Sequence, residues 1–428
     1  MNRYVKLPLV LSVLVSLTAL GADMNRTEAE KRALQEVPGG KILSVEREVE
    51  KAKDVWSLDV RSADGKHVFE LQYEVASGKL VSREEESSKK QKEEAVQDVK
   101  KARAAAAASF AVTKRFPVGG EGGWDYLVVD PGSRRLFISR GIHVIAVDTD
   151  SGKVVGDIKG TEGVHGIALA PGLGRGFTSN GRSTSVSVFD LSTLEVTSTV
   201  KVTGENPDAI LFDPSSKRVF AFNGRGQNVT VIDASSLAVL GTIPLGGKPE
   251  FAAADGRGRV FVNIEDKNEV AALDADKLTV AARWPLAPCS EPAGLAIDRK
   301  SQRLFAGCHN KLLVALSSID GTIVSKVPIG EGNDAVGFDE ENGLVFASNG
   351  DGTLNVVKET APGAYTVVQT VETQKGARTH AVDSKSHRVF VPAAKYGPPP
   401  SPTAERPNPR PEMLPGSFEL LVVEPVQK

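Results

Sequence analysis

The sequence predicts a mainly β fold: a seven-bladed β-propeller closed by an N-terminal outer strand, preceded by a small α+β domain and a helical linker. Three observations predict it. First, Phe137, Phe177, Phe220, Phe261, Phe305, Phe346 and Phe390 recur at spacings of 40 to 44 residues, each in a short apolar run such as Arg134-Arg135-Leu136-Phe137-Ile138. Second, six or seven residues before five of them stands a polar turn: Asp130-Pro131-Gly132, Asp213-Pro214-Ser215, Asp298-Arg299-Lys300, Asp339-Glu340-Glu341 and Asp383-Ser384-Lys385. Aspartate offers a side-chain acceptor there and proline a fixed φ, which is what a tight turn uses. Third, a strand ending in an acid follows each of several Phe strands, at Asp148, Asp190, Asp233 and Asp274. An outer strand with an apolar-Pro-apolar signature then completes the unit, as at Ile243-Pro244-Leu245, Trp284-Pro285-Leu286 and Val327-Pro328-Ile329. A period of this length in a strand-rich chain is one small antiparallel sheet, and such sheets stacked face to face make a propeller.

The last repeat lacks an outer strand, because Phe418–Val423 matches a third strand and the chain ends at Lys428. An unclaimed strand with the same signature, Phe116-Pro117-Val118, precedes the first repeat. Residues Phe110–Val118 are therefore expected to pair with Phe418–Val423, leaving no open sheet edge. Proline is tolerated in an outermost strand because one side of it is unpaired.

At 428 residues the chain is long enough for two or more domains. A net charge of −2 argues against a surface built broadly for phosphate, so nucleic acid is not the expected partner. Residues 1–22 read as a secretory signal peptide: Arg3 and Lys6 precede an apolar run from Leu7, and Ala19 and Gly21 offer a small-residue cleavage site. The run is shorter than the roughly 20 residues a membrane helix needs, and no later run is longer. The mature chain is thus expected to have no membrane span and to be periplasmic or secreted. Cys289 and Cys308 flank the hairpin Ala293–Ile297 to Arg303–Gly307, and an oxidising compartment would let them form a disulfide; two buried thiols are the alternative.

Residues 23–85 form the expected α+β domain. Thr27–Val37 reads as a helix with Thr27 as N-cap and Glu30 completing a capping box, ended by Pro38-Gly39-Gly40. Strands follow at Ile42–Val49, Val55–Val60, Val68–Tyr73 and Leu80–Arg83, with Asp64-Gly65 and Ser77-Gly78 as turns. The helix on the sheet would bury Val45, Trp56, Leu58, Val60, Phe69 and Leu71. Residues 86–109, rich in Lys and Glu and then Ala, read as the helical linker, and 110–428 as the propeller.

Two resemblances attach to these segments. The Pro38-Gly39-Gly40-Lys41-Ile42 start, Trp56-Ser57-Leu58-Asp59-Val60, Asp64-Gly65-Lys66 and Ala76-Ser77-Gly78-Lys79-Leu80 resemble the PepSY domain. That resemblance implies a module that binds or inhibits peptidases, here through a secreted peptidase partner, since the chain has no His-Glu-x-x-His of its own. A small spacer domain is the other reading. The seven repeats resemble the YVTN-type propellers of secreted bacterial proteins. Their tetrapeptide is degenerate here, as in Phe177-Thr178-Ser179-Asn180, Phe220-Ala221-Phe222-Asn223 and Phe346-Ala347-Ser348-Asn349. This resemblance implies the fold and leaves the ligand open.

The phenylalanine also serves as a ruler for function. Twelve residues before each one stand Asp125, His165, Asp208, Ala293, Asp334 and Arg378, with Glu250 matching after a one-residue deletion. In a propeller these starts of inner strands open on one face, around the central channel. Four carboxylates in one mouth would hold a cation or raise one another's pKa; capping of local backbone N–H groups is the bland alternative. Near the far end of each Phe strand stand Asn180, Asn223 and Asn349, each before a glycine, which reads as a type I′ turn. Asn263 lacks the glycine and becomes a ligand candidate, and His309, Asn310 and His380 would face the same mouth. Between Tyr396 and Ser417 a proline-rich insertion would project on that face as a lid, a docking strip or a disordered loop.

The expected function is that of an exported binding protein, whose mouth takes a small ligand, a cation or a protein segment. Its expected ligand-binding residues are Asp125, His165, Asp208, Glu250, Asn263, Asp334, Arg378 and His380. The alternative is a metal-dependent hydrolase similar to gluconolactonase-type propellers, with Ca²⁺ or Zn²⁺ held by Glu250, Asn263, Asp208 and Asp334. Nucleic-acid binding ranks below both.

Overall fold

A computed structural model describes residues 24–50, 53–85, 109–403, 409 and 411–426. The expected signal peptide at 1–22 and all of the expected linker except Ser109 lie outside the described residues. The chain divides into two compact units, one reaching Val99 and the other starting at Lys100.

The N-terminal unit is one helix, α1 (Arg26–Glu36), and one antiparallel sheet of β1 (Lys41–Glu50), β2 (Lys53–Arg61), β3 (Val68–Glu74) and β4 (Leu80–Glu85) in chain order. Ala29 and Ala33 are the buried face of α1, and they meet Val45, Leu58, Val60 and Leu71 from the sheet. Two alanines let the helix lie close to the strands without a clash. The Trp56 indole N–H donates to the Met24 carbonyl at 2.8 Å, tying the segment before α1 to the sheet. The cap differs from expectation. Asn25, not Thr27, is the N-cap, its side chain accepting from the Glu28 N–H at 3.0 Å. Asparagine caps at least as well as threonine, and the earlier start gains half a turn. Phe69 is only partly buried, with the Arg83 guanidinium 4.9 Å over its ring.

The C-terminal unit consists of seven four-stranded antiparallel sheets, each built like a propeller blade. The first shows the pattern: inner strand Leu127–Asp130, Phe-bearing strand Arg135–Ser139, then Val144–Asp148 and the outer Val154–Ile158. At the turn between the first two strands, the Asp carboxylate accepts the N–H two or three residues on. Examples are Gly132 to Asp130 at 3.0 Å, Ser216 to Asp213 at 3.0 Å and Lys300 to Asp298 at 2.9 Å. The acids that end the third strands do the same, as Ser151 to Asp148 and Ser236 to Asp233 show at 2.8 and 2.7 Å. Both families of acids are thus turn formers.

The seventh sheet takes its fourth strand from the start of the unit, the pairing that the sequence predicts. Ala381–Asp383, Arg388–Ala393 and Glu419–Val426 take as their outer strand β5 (Ser109–Pro117), in the register Glu419↔Pro117, Leu421↔Arg115 and Val426↔Ser109. Hydrogen bonding here joins the two ends of the unit.

All seven phenylalanines are fully buried. Each sits in a cluster shared with the next sheet: Phe220 with Val260 and Val262, Phe261 with Leu304 and Ala306, Phe305 with Val345 and Ala347. Phe390 of the last sheet packs with Leu136 and Ile138 of the first. The inner strands likewise neighbour one another in succession, and Ala381–Asp383 lies beside Leu127–Asp130. Among the described residues no helix is long and apolar enough to cross a membrane. Cys289 and Cys308 form a disulfide with Cα atoms 5.6 Å apart, tying the loop before the fifth inner strand to the end of the Phe strand beside it.

If each phenylalanine is the centre of one contact between sheets, Phe305→Ala leaves a cavity that costs about 3–5 kcal/mol. The denaturant midpoint of the variant is expected to fall accordingly. A change below about 0.5 kcal/mol would mean that the ring is not a packing centre.

Candidate functional site

The residues at the starts of the inner strands are placed by a recurrent irregularity. Pairing between inner and Phe strands shifts register between Val164 and Ile167, Pro207 and Ile210, Pro249 and Ala252, Pro292 and Leu295, and Asn333 and Ala335. His165, Asp208, Glu250, Ala293 and Asp334 all stand inside these shifts. A bulge frees a residue from the ladder and re-aims its side chain, so five sheets redirect the corresponding position.

Staples between sheets then fix the backbone at these points. The residue two beyond the phenylalanine reaches across to the next sheet. The Ser179 hydroxyl donates to the Asp208 carbonyl, the Asn263 amide to the Ala293 and Gly294 carbonyls, both at 2.9 Å, and the Ser348 hydroxyl to the Arg378 carbonyl. In the first sheet Ser139 instead accepts the Asp125 N–H at 3.1 Å. Gly166 is part of the same design, because a Cβ there would come within 2.8 Å of the Asp208 carbonyl oxygen.

These supports bring charged side chains together. His165 Nδ1 donates to Asp125 Oδ2 at 2.8 Å and lies 3.7 Å from Asp208 Oδ1. Lys248 pairs with Glu250 at 2.7 Å and also with Glu265. Arg378 pairs with Asp334 at 2.8 Å. Tyr126, next to Asp125, stacks on Phe251 of the fourth sheet with centroids 4.3 Å apart, and its buried hydroxyl has no hydrogen-bond partner among the described residues. Asp208, Glu250, Asp125 and Asp334 all act on that hydroxyl, so residues from the first, third, fourth and sixth sheets share one volume.

Electrostatics follow from burial. Removal from water raises the Asp208 carboxyl to about 6, against the pull of His165. Burial, reinforced by Asp208, raises Glu250 to about 8; Lys248 opposes this but divides its charge between two carboxylates. Asp334 is raised by burial despite Arg378. His165 is raised, first by its hydrogen bond to Asp125 and against its burial. Asp125 and Asp208 thus share one basic partner, His165, as Glu250 and Glu265 share Lys248. Along the inner strands of the first three sheets runs a cavity of about 320 Å³, lined by apolar residues including Val129, Ile167, Leu169, Ile210 and Leu211.

Other expected site residues sit elsewhere. Asn263 is fully buried; its amide N–H group is committed to the next sheet, a staple that serine makes in other repeats, while its Oδ1 has no hydrogen-bond partner among the described residues. His380 is buried against Gly337, bonded to Ser348 at 2.8 Å and pushed down to about 3 by burial, hence neutral. His309 pairs with Glu291 at 3.0 Å, and Asn310 joins Ser290 and Pro288 of the loop before the fifth inner strand. In the metal set Glu250, Asn263, Asp208 and Asp334, Lys248 engages Glu250, Arg378 engages Asp334 and His165 lies on Asp208, while the Asn263 amide N–H group donates to backbone carbonyls. Asn180 and Asn223 are structural, but not as type I′ turns. Four-residue loops follow them, with positive φ at Thr184 and Gln227 rather than at the glycines. Their buried amides bond across to Ser187 at 2.8 Å and Thr230 at 3.0 Å.

Sequence reasoning missed Arg140. It is 1% exposed, stacks 3.8 Å over the Phe418 ring and donates to the Gly119, Glu121 and Gly122 carbonyls at 3.0, 3.0 and 3.1 Å. Burial without a carboxylate lowers it to about 10. It holds the glycine loop that delivers Trp124 and Asp125. The available signal was positional: Arg140 occupies the place, three beyond phenylalanine, where other repeats carry Asn180, Asn223 and Asn349. Of the proline-rich insertion, the ends form a stem, with Gly397 N–H to Glu412 O at 2.9 Å and Leu414 N–H to Lys395 O at 2.8 Å. Residues 404–408 and 410 lie outside the described residues.

No protein-family model and no curated protein matches the chain.

Glu250 gives a pH test. Its carboxyl, raised from 4.5 to about 8, binds a proton more tightly in the folded than in the unfolded state. Stability is therefore lost as pH rises from about 4.5 to about 8. Glu250→Gln removes this slope while Lys248 keeps Glu265. A gain of a few degrees in Tm at pH 9, with little change at pH 5, is the expected outcome; equal Tm values at both pH values would deny the burial of an ionisable group there.

Proposed function

We propose that the C-terminal unit is a closed seven-bladed propeller of the YVTN type, working as an exported binding protein whose mouth takes a small, positively charged ligand. One observation carries the reading. The repeat positions converge as Asp125, His165, Asp208, Glu250, Asp334 and Arg378, and the acids outnumber the cations available to neutralise them. Sharing of contacts by Phe390 and Leu136 supports closure of the ring. The disulfide and the apolar segment beginning at Leu7 support export to an oxidising compartment. The helix on a four-stranded sheet is compatible with a PepSY-like module, which would then recruit a peptidase or another partner.

The gluconolactonase-like hydrolase loses ground because two of its acids, Glu250 and Asp334, are paired with Lys248 and Arg378. Nucleic acid is disfavoured by the same acidic mouth and by the net charge of −2.

Ligand that binds only the folded state raises Tm in proportion to its occupancy. Spermidine at millimolar concentration is expected to raise Tm, citrate is not, and the rise should vanish in the Asp125→Asn/Asp208→Asn double variant. Stabilisation by citrate, or by spermidine undiminished in the double variant, would refute the cationic-ligand reading.

A further inference from the structure

We infer that Asp125, His165 and Asp208 form a binding site for one divalent transition-metal ion of the zinc class. The inference rests on the reading of the mouth as a cation site and names the cation. Among the described residues these three offer donor atoms that all lie within 4.8 Å of one another. The finer geometry fits better than that limit requires. A metal about 2.0–2.2 Å from nitrogen and oxygen donors holds those donors roughly 3.0–3.5 Å apart, for angles from square to tetrahedral. His165 Nδ1 stands 2.8 Å from one carboxylate oxygen and 3.7 Å from the other, on either side of that range. Along these two edges, movements of a few tenths of an ångström bring the donors into range, the ion taking the place of the ring proton.

The imidazole is aimed and held. A Cβ at Gly181 would stand 3.0 Å from His165 Nε2, so the far side of the ring packs on that glycine while Nδ1 turns to the acids. Asp208 is fixed through its carbonyl by Ser179, and Asp125 through its N–H by Ser139. The three donors therefore come from three sheets whose spacing is set by packing, which is the rigidity a metal site needs. A separate observation points to a ligand. The Tyr126 hydroxyl, adjacent in sequence to Asp125, is buried with no partner among the described residues and lies within the field of Asp208, Glu250, Asp125 and Asp334. An oxygen of the metal's remaining coordination sphere would give that O–H an acceptor.

The donor set selects the ion. One imidazole and two carboxylates suit Zn²⁺, Co²⁺ or Mn²⁺, whereas Ca²⁺ and Mg²⁺ favour an all-oxygen shell. The remaining acids do not compete, because Glu250 and Asp334 are held by Lys248 and Arg378.

The test uses the full chain without an affinity tag. Zn²⁺ is titrated by calorimetry, and Co²⁺ is followed by its visible absorption, in the wild type, in His165→Ala and Asp208→Asn, and in variants of two exposed acids outside the mouth, Asp157→Asn and Glu340→Gln. One Zn²⁺ per chain is expected, together with a Co²⁺ spectrum. Affinity should fall by at least the about 10–100-fold that loss of even an outer-shell partner costs in the first two variants, and stay within about twofold in the last two. Circular dichroism reports whether each variant is folded, and the Co²⁺ spectrum of the wild type reports nitrogen ligation without any variant. Absence of Zn²⁺ binding, or binding undiminished in folded His165→Ala, overturns the inference. So does equal weakening in all four variants, which would indicate diffuse charge. If Zn²⁺ fails while spermidine still stabilises the protein, the metal site falls and the cationic mouth stands; if both fail, both fall.

Discussion

The arrangement of the C-terminal unit depends on one buried aromatic ring per sheet. Each phenylalanine packs against the Phe strand of the next sheet, and the last packs against the first. An apolar contact of this size, repeated at a spacing of 40 to 44 residues, sets both the distance and the rotation between neighbours. Everything at the mouth inherits that spacing. Two residues beyond the ring the staples begin, and they hold the backbone of the next sheet where the charged positions stand.

The site therefore exists because packing overrides the ordinary preferences of its groups. Carboxylates at Asp208, Glu250 and Asp334 are half-buried, and withdrawal from water raises the proton affinity of each. Bulges in the inner strands give up ladder hydrogen bonds at these same points. Such local costs are borne by the surrounding apolar clusters, a pattern common where structure serves binding. Arg140 shows the converse, a charge buried to shape a loop, with backbone carbonyls and an aromatic face taking the place of a counter-ion.

Much of this was legible in the sequence. The Phe repeat, the Asp turns and the pairing of Phe110–Val118 with the C-terminal strand follow from period, turn chemistry and the avoidance of open edges, all local or topological rules. The count of twelve back from phenylalanine also located Asp125, His165 and Asp208. What failed was the reading of orientation. Asn263 looked free of a turn role, yet its amide bridges two sheets, a contact between residues thirty apart that local patterning cannot register. Asn180 and Asn223 suggested two-residue turns, but their side chains are drawn inward by Ser187 and Thr230 and the loops lengthen to four residues. The bulges are invisible for a related reason: a register shift depends on both partner strands at once. Partition of the acids into those engaged by Lys248 and Arg378 and those sharing His165 likewise required coordinates.

Convergence of the first three sheets on His165 is the central claim, and the imidazole itself reports it. Titration of the His165 ring followed by NMR in the full chain should give a pKa above the ordinary 6.5, falling when Asp125 is replaced by asparagine. A ring that titrates at 6.5 in both proteins would contradict the account.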